Sequence, residues 1–444
     1  MYAPKNKMGS FKLTFLFHSG TINTMILLKN VFLNNKVCDI LIDKNKITKI
    51  ADEITLPADE IINCTDKAIL PSFCNTHTHA SMMFLRGIGE DKNLFDWLNQ
   101  DIFPHEAKLK SEHIYALSRY AILEMIKTGT TCFTDMYFNV SETLKAVQDM
   151  GLRAVLPYLG MDFFDVQNTK KHIKEAIRYM ESPCACTRIK KALCCHAIYT
   201  CSQELIQEFF HLAQKYDTYL QIHVSETQKE VEDCLQKFGM RPVELLYKWG
   251  IMGPKTLFAH AVHLNDDEIQ LVKKTGTVLA HCPTSNLKLV SGQMNFQKYL
   301  DAGVRLTLGT DGVASNNSLS MISEMKIAAL SAKNKADSVL AGTIKDVYQM
   351  ATQNGFSAFG INAGEIKEGK LADFILVDMN NQFLLPNNNL ISNMIYAADS
   401  SCIADVFCDG IPVMRNKKIP HESEIVYDFR RVYSDLMSDE TRKN

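Results

Sequence analysis

The chain has 444 residues, of which 46% are hydrophobic and 22% are charged, and its formal net charge is −2. This length allows a large buried core and is typical of a globular protein with two domains. The near-neutral charge argues against a nucleic-acid or anionic-membrane surface and favours a small-molecule partner.

The cysteines and the start of the chain indicate the cellular setting. None of the 13 cysteines forms the paired CxxC spacing of a structural metal site, so we expect free thiols in a reducing, cytoplasmic environment. No apolar run approaches the ~20 residues that cross a bilayer, so we expect no membrane association. The apolar patch near the start is interrupted by Lys12 and Thr14, unlike a signal peptide. Residues 1–24 are predicted to be a poorly ordered extension.

Short strand-like runs occupy both ends of the remaining chain. From residue 25 to about 70, the runs ILLKNVFL, VCDILI and KITKIA alternate with polar turns. The runs LADFILVDM and ADVFCDGIPVMRNKKI have the same character near the other end. Because each segment is too small to fold alone, we predict one discontinuous β-sandwich domain from residues 25–70 and 369–430. A C-terminal tail is expected at 431–444.

Between these segments, eight short apolar strands alternate with longer amphipathic stretches. The runs TTCFTDMY and VRLTLGTD are typical of the strands, and SEHIYALSRYAILEMIKTG is typical of the helices. Eight β-then-α units in about 300 residues is the size of a (β/α)8 barrel. The predicted fold class is therefore α/β, with a TIM-like (β/α)8 barrel over residues 71–368 beside the small β-sandwich domain.

Metal-binding residue types fall at or near the carboxyl ends of the predicted barrel strands: His77, His79, His196, His223, His260, His281 and Asp311. These strand ends meet on one face of a barrel, where active sites are built. His77 and His79 lie at positions i and i+2 of a strand, so both imidazoles can face one ion. Together with a third strand-end histidine and a strand-end aspartate, they predict a site for Zn²⁺ or a similar divalent ion with one position left for water.

Several segments resemble the amidohydrolase superfamily and, within it, the methylthioadenosine/S-adenosylhomocysteine deaminase family. They are residues 71–80, 85–87, 223–227, 259–264, 285–289, 309–317 and 369–373. The resemblance runs from about residue 25 to 430. It implies hydrolytic deamination of an adenine nucleoside (methylthioadenosine, S-adenosylhomocysteine or adenosine) to the inosine analogue and ammonia.

The same resemblance implies one divalent metal ion per chain, with zinc as the expected metal. The implied ligands are His77, His79, His223 and Asp311. The stretch around His196 on the fourth strand has no lysine that could be carbamylated to bridge a second ion.

Three residues are implied to carry the catalysis. Asp311 would take a proton from the attacking water and later deliver it to the amino group. Glu226 would protonate the adenine ring nitrogen, although outside this motif it would be interpreted as a solvent-facing residue at the start of a helix. His260 would stabilise the attacking hydroxide and the tetrahedral intermediate.

The resemblance also implies substrate contacts. His196 would hydrogen-bond the purine, Glu106 would accept both ribose hydroxyls, and Trp97 either shapes the pocket or packs as an ordinary aromatic. Relatives that use S-adenosylhomocysteine well can bind its carboxylate with two arginines, whose positions align with Tyr158 and, without gaps, Lys170. Tyrosine cannot form the bidentate fork of arginine. We therefore expect methylthioadenosine or adenosine to be used better than S-adenosylhomocysteine.

Two other functions stay open at this level. The same fold can act on guanine, pterin or triazine rings, against which the ribose-binding Glu106 argues. A barrel that only binds ligands is the second alternative, against which the complete set of ligands and Glu226 argue. The other zinc deaminase architecture needs P-C-x-x-C, but Cys184 and Cys186 are spaced as CxC. The native metal, the preferred nucleoside and a homo-oligomeric state are left open.

Overall fold

The computed structural model describes residues 24–438, so the predicted extension, apart from Thr24, and residues 439–444 lie outside the described residues. The described part of the chain forms sixteen strands. In chain order they are β1 (Met25–Leu33), β2 (Lys36–Asp43), β3 (Lys46–Ala51), β4 (Glu60–Asn63), β5 (Lys67–Pro71), β6 (Phe73–Thr78), β7 (Thr130–Asp135), β8 (Arg153–Gly160), β9 (Ile189–Ala197), β10 (Leu220–Val224), β11 (Thr256–His260), β12 (Val278–His281), β13 (Arg305–Leu308), β14 (Phe374–Asp378), β15 (Ile403–Cys408) and β16 (Ile411–Met414).

Seventeen α-helices lie within the same residues 24–438. They are α1 (Leu94–Trp97), α2 (Phe103–Glu106), α3 (Ser111–Lys127), α4 (Val140–Met150), α5 (Val166–Glu181), α6 (Gln203–Lys215), α7 (Gln228–Phe238), α8 (Pro242–Lys248), α9 (Asp266–Thr275), α10 (Pro283–Lys288), α11 (Phe296–Asp301), α12 (Val313–Asn316), α13 (Met321–Ala336), α14 (Ile344–Ala351), α15 (Gln353–Ala358), α16 (Leu390–Tyr396) and α17 (Glu422–Met437). In this described range, no helix combines the length and apolar character needed to cross a membrane.

Strands from both ends of the chain share one mixed sheet, in the order β16-β15-β14-β5-β1-β2-β3, with β4 beside β1. The two ends join where β14 pairs antiparallel with β5, Phe374 opposite Pro71. Buried Ile, Leu, Val and Phe side chains form the core of this sheet, and the rings of Phe374 and Phe407 stack at 4.5 Å. The prediction that distant chain segments build one β domain is therefore confirmed.

The other eight strands, β6 to β13, are neighbours in chain order and pair in parallel. Each of the eight predicted apolar runs overlaps one of these strands. Side-chain bonds link the last strand to the first, because the Thr76 hydroxyl lies 2.8 Å from that of Thr307 and donates to the Leu308 carbonyl at 3.0 Å. This closed parallel arrangement confirms the TIM-like barrel.

Buried charge connects the barrel to the mixed sheet. The Arg153 guanidinium, at the start of β8, donates to both carboxylate oxygens of Asp373, at 2.8 and 3.1 Å, and also pairs with Asp409. Both aspartates lie beside strands of the mixed sheet. The ion pair therefore joins residues more than two hundred positions apart.

The end of the described chain differs from the predicted tail. Helix α17 continues past residue 430 and packs on α3, where the rings of Tyr120 and Phe429 stack at 3.9 Å. Arg119 also donates to Glu424 at 3.1 Å. Ile425, Val432, Leu436 and Met437 are buried at helical spacing, which explains why this segment is helical and not a free tail.

Candidate active site

Imidazole and carboxylate groups converge where three barrel strands end at the carboxyl face. His77 lies on β6 and His79 directly follows this strand, while His223 lies on β10 and Asp311 follows β13. The Nε2 atoms of His77 and His79 lie 3.4 and 3.1 Å from Asp311 Oδ1, and the Nε2 atoms of His77 and His223 are 3.1 Å apart. His77 belongs to two groups of closely spaced donor atoms, the first with His79 and Asp311 and the second with His223 and His260. These distances are short enough for one divalent metal ion.

The outer nitrogens of the histidines have partners that orient the rings. His79 Nδ1 donates to the Met136 carbonyl at 2.6 Å, and His223 Nδ1 donates to the His196 carbonyl at 2.8 Å. Such a bond places the proton on Nδ1 and leaves the Nε2 lone pair available to a metal. The chain therefore presets these tautomers in His79 and His223, whereas His77 Nδ1 faces the side-chain amide of Gln221 at 2.6 Å.

The protonation states also suit a cation site. Burial lowers the pKa of His77 to about 4 and takes that of His223 well below its usual range, so both imidazoles are neutral. Burial opposes ionisation of Asp311, but hydrogen bonds from His77 and His79 hold the pKa of its carboxyl well below the usual range. Burial opposes protonation of His79, but the bond to Asp311 raises its pKa to about 9. His77, His223 and the ionised Asp311 carboxylate are therefore ready to bind a divalent ion, whereas His79 must release its proton when the ion binds.

Two serines fix the orientation of the Asp311 carboxylate. The hydroxyls of Ser285 and Ser315 donate to Asp311 Oδ2, at 2.6 and 2.9 Å, while Oδ1 faces the histidines. Sequence reasoning assigned no role to these serines. The only signal was that both serines fall inside the resembling segments. Ser285 contacts Asp311 from the end of the neighbouring strand, whereas Ser315 lies four residues after Asp311 and reaches it locally.

Glu226 and His260 lie beside this cluster. Glu226 Oε2 is 3.7 Å from His260 Nε2, and the Ser291 hydroxyl donates to Glu226 Oε1 at 3.3 Å. Glu226 is 5% exposed, which contradicts its alternative interpretation as a solvent-facing helix residue. Burial raises the pKa of Glu226. His260 Nδ1 lies 2.8 Å from Asn286 Oδ1, a ring-orienting contact that was not predicted.

One pocket is lined by the cluster, except for fully buried His77, and by three further predicted residues, Glu106, His196 and Trp97. Burial raises the pKa of Glu106 to about 7, and its Oε1 is shielded from solvent without a hydrogen-bond partner among the described residues. Burial lowers the pKa of His196 to about 3, and its Nδ1 lies 2.8 Å from the Thr200 hydroxyl. Apolar side chains complete the wall: Met82, Leu94, Leu98, Ile102, Phe103, Met136, Phe138, Leu159, Met161 and Leu289.

A wider groove continues from this pocket and shares Glu106 with it. The groove contains Tyr158, whose hydroxyl donates to Glu175 at 2.6 Å. Lys170 is exposed on α5 and is not among the groove-lining residues of the described chain, whereas Lys171 is. The expectation that Lys170 contacts the substrate is therefore not supported by its position.

Further residues of α5 line the groove at helical spacing with Lys171, namely Glu175 and Arg178. Lys171 and Arg178 are exposed, while Glu175 is half-buried. Sequence alignment without gaps could not reveal which face of α5 lines the groove. An alignment error of one residue rotates the assigned side chain around the helix by a quarter of a turn or more.

Comparisons with known proteins agree with this geometry. The Amidohydrolase family model matches residues 68–413. The chain is 42% identical to a 5′-deoxyadenosine deaminase of Methanosphaera stadtmanae, over 91% of this chain and 97% of the relative. It is 43% identical to a 5-methylthioadenosine/S-adenosylhomocysteine deaminase of Thermococcus sibiricus, over 85% of this chain and 89% of that one.

Similarity extends to solved structures. A zinc-bound adenosine deaminase of Xanthomonas campestris superimposes with a TM-score of 0.87 at 28% identity, covering 93% of this chain and 98% of that one. The family match spans most of the chain and includes every strand of the barrel. This chain therefore belongs to the amidohydrolase family.

Proposed function

We propose that the chain is a metal-dependent aminohydrolase that converts an adenine nucleoside and water to the inosine analogue and ammonia. The observation that carries this proposal is the position of buried Glu226 and His260 beside the cluster of His77, His79, His223 and Asp311. The relatives named as deaminases of 5′-deoxyadenosine and of methylthioadenosine/S-adenosylhomocysteine support the same chemistry.

The proposed metal ligands are His77, His79, His223 and Asp311, and zinc is the proposed ion because a similar structure was solved with bound zinc. A bound divalent ion supplies Lewis-acid chemistry that makes water a nucleophile at neutral pH. Neutral His77 and His223 and the ionised Asp311 carboxylate can bind such an ion directly, and His79 would lose its proton on binding.

Three residues would move or stabilise charge during the reaction. Asp311 accepts a proton from the attacking water, and Glu226 donates a proton to the ring nitrogen next to the attacked carbon. His260 stabilises the oxygen charge that develops on that carbon. Asp311 then returns its proton to the amino group, which leaves as ammonia. As the carbonyl forms on the attacked carbon, the hydroxyl proton passes to Glu226 and restores the protonated acid, while the ring nitrogen keeps the proton it received.

The pocket favours a nucleoside over a free base. Glu106 offers a carboxylate oxygen that no described residue engages, which suits two adjacent ribose hydroxyls. His196 is the proposed hydrogen-bond partner of the purine, and buried Trp97 forms part of the wall. Guanine, pterin and triazine rings lack the ribose that would engage Glu106.

A substrate panel tests this proposal directly. Ammonia release is measured with adenosine, 5′-deoxyadenosine, methylthioadenosine, S-adenosylhomocysteine and guanine, before and after metal removal. We expect metal-dependent release from the adenine nucleosides and little from guanine. Release from guanine alone, or full activity after verified metal removal, would contradict the proposed function.

A further inference from the structure

Three turns at the carboxyl ends of barrel strands hold residues in the left-handed backbone conformation. The φ angles are 51° at Ser225, 70° at His260 and 62° at Asp311. None of these residues is glycine, so the surrounding contacts must offset the cost of this conformation. Each turn presents one of the proposed catalytic groups, because Glu226 follows Ser225. The contacts that hold these turns therefore matter for catalysis.

A buried acid on the next helix holds the turn at Ser225 and Glu226. Glu230 lies in the first turn of α7 and is 3% exposed. Its Oε1 accepts the Ser225 N–H and its Oε2 accepts the Glu226 N–H, both at 2.8 Å. Burial raises the pKa of Glu230 to about 8, and these two N–H donors oppose that rise. One carboxyl group therefore holds two successive backbone groups, an arrangement we call the Glu230 clamp.

The other side of the same turn is attached to the neighbouring strand end. The Ser225 carbonyl accepts N–H groups from Val262 and His263, both at 3.1 Å. These bonds connect the turn that carries Glu226 to the turn that carries His260. With the backbone held on both sides, the Glu226 carboxyl group lies 3.7 Å from His260 Nε2.

We propose that Glu230 is a positioning residue that fixes the Ser225–Glu226 turn and so directs the Glu226 carboxyl group at the purine ring. The inference rests on the proposed function, because it takes Glu226 as the ring-protonating group. Glu230 is not among the residues that line the pocket in the described part of the chain. Since its two oxygens both bind backbone N–H groups, Glu230 acts through Glu226.

A double-mutant cycle of Glu230→Gln with Glu226→Gln tests this inference. The amide of Glu230→Gln keeps one acceptor oxygen but turns an NH₂ group towards the second backbone N–H. We expect kcat to fall roughly 10- to 100-fold with KM changed by less than about threefold, because misdirecting a general acid affects the transition state. In the Glu226→Gln background, the same change should lower kcat by less than about twofold, since the positioned group is already absent.

Glu268→Gln is the matched control. Glu268 is also a buried acid in the first turn of a helix, α9, and its Oε2 accepts from Arg241 Nε at 2.8 Å and from the Asn265 N–H at 3.0 Å. It is not a pocket-lining residue in the described chain. Its replacement should change kcat by the same factor in both backgrounds. Glu230→Asp, which keeps the charge with a shorter reach, provides a second variant with an expected partial loss of kcat.

The outcomes separate the two proposals. Coupling between Glu230 and Glu226, with metal content and Tm unchanged, supports the clamp. If Glu230→Gln lowers kcat equally in both backgrounds, or lowers it through loss of metal, Glu230 is only structural and this inference is wrong. If Glu226→Gln alone keeps near-normal kcat, the proposed function is wrong in its assignment of Glu226.

Discussion

At the scale of single residues, Glu226 has the properties of a general acid. It is buried beside His260, and burial raises its pKa, so a larger fraction stays protonated near neutral pH. Glu226→Gln should retain metal but lose at least ~10²-fold in kcat, the usual scale for a general acid–base group. Because activity needs the protonated form, the wild-type rate should fall as pH rises through the pKa of Glu226. The variant should lack that alkaline limb in its pH–rate profile.

The control for this prediction lies on the helix that follows Glu226. Glu232 is exposed on α7 and accepts a hydrogen bond from Gln228 at 3.1 Å. Glu232→Gln should leave kcat, KM and the pH profile unchanged. Near-normal turnover in Glu226→Gln would show that burial of this acid serves the fold and not the chemistry.

Substrate choice is a second residue-scale question. The Tyr158 hydroxyl donates a hydrogen bond to half-buried Glu175. The two cationic side chains that line the groove, Lys171 and Arg178, are exposed. Exposed charges are strongly screened by solvent. We therefore expect a higher kcat/KM for methylthioadenosine than for S-adenosylhomocysteine, whose carboxylate would approach Glu175.

Removing the charge of Glu175 should reduce the difference in kcat/KM between methylthioadenosine and S-adenosylhomocysteine. Glu175→Gln should raise kcat/KM for S-adenosylhomocysteine relative to methylthioadenosine by about fivefold, equivalent to about 1 kcal/mol of relieved repulsion. Glu181→Gln is the control. Glu181 lies on the same helix but accepts a hydrogen bond from Tyr216 at 2.9 Å, and its replacement should leave kcat/KM unchanged for both substrates. A tenfold preference for S-adenosylhomocysteine in the wild type would show that Lys171 or Arg178 binds the carboxylate.

At the scale of elements, the strand ends assemble the metal site. Strand β6 provides His77, the residue that directly follows it provides His79, and β10 provides His223 from across the barrel. We expect about one equivalent of Zn²⁺ per wild-type chain, and joint loss of metal and activity in His223→Ala. Metal analysis by mass spectrometry and an activity assay on the same samples measure both.

The matched control uses a histidine away from the strand ends. His211 is exposed on α6, so His211→Ala should keep both metal and activity. Stoichiometric metal in His223→Ala would mean that other donors hold the ion and that His223 is not a ligand.

At the scale of the whole molecule, the Arg153 ion pair ties the barrel to the mixed sheet. Arg153 and Asp373 are both buried, so removing the aspartate costs the guanidinium two charge-assisted hydrogen bonds and leaves it paired with Asp409. Asp373→Ala should lower the free energy of unfolding by about 3 kcal/mol, the lower end of the usual cost of breaking a buried pair, because Asp409 still offsets the charge. Urea unfolding followed by circular dichroism measures it. Asp233→Ala removes the exposed pair with Lys229 and should cost less than about 0.5 kcal/mol.

The sequence by itself determined the architecture and the chemistry of the centre. Apolar runs of strand length, spaced by amphipathic helices, are local patterns, and they predicted the eight barrel strands. His77, His79, His223 and Asp311 are among seven residues of metal-binding types at the predicted strand ends, which must converge in a barrel, and the resemblance to the amidohydrolase superfamily selected these four. That the two ends of the chain would build one β domain was predicted because each is too short to fold separately, whereas the pairing of β5 with β14 came from the structure.

Only the tertiary structure decided which residues support and surround that centre. These contacts depend on the register between neighbouring strands and on which face each helix turns towards the barrel. They include the partners of Asp311 and His260, the hydrogen bond from Tyr158 to Glu175, and the Glu230 clamp. Local patterns show whether a segment has the hydrophobic period of a strand or of a helix. They do not show which of its faces meets distant parts of the chain. For that reason the sequence pointed to Lys170, whereas the packing of α5 brings Lys171 to the groove.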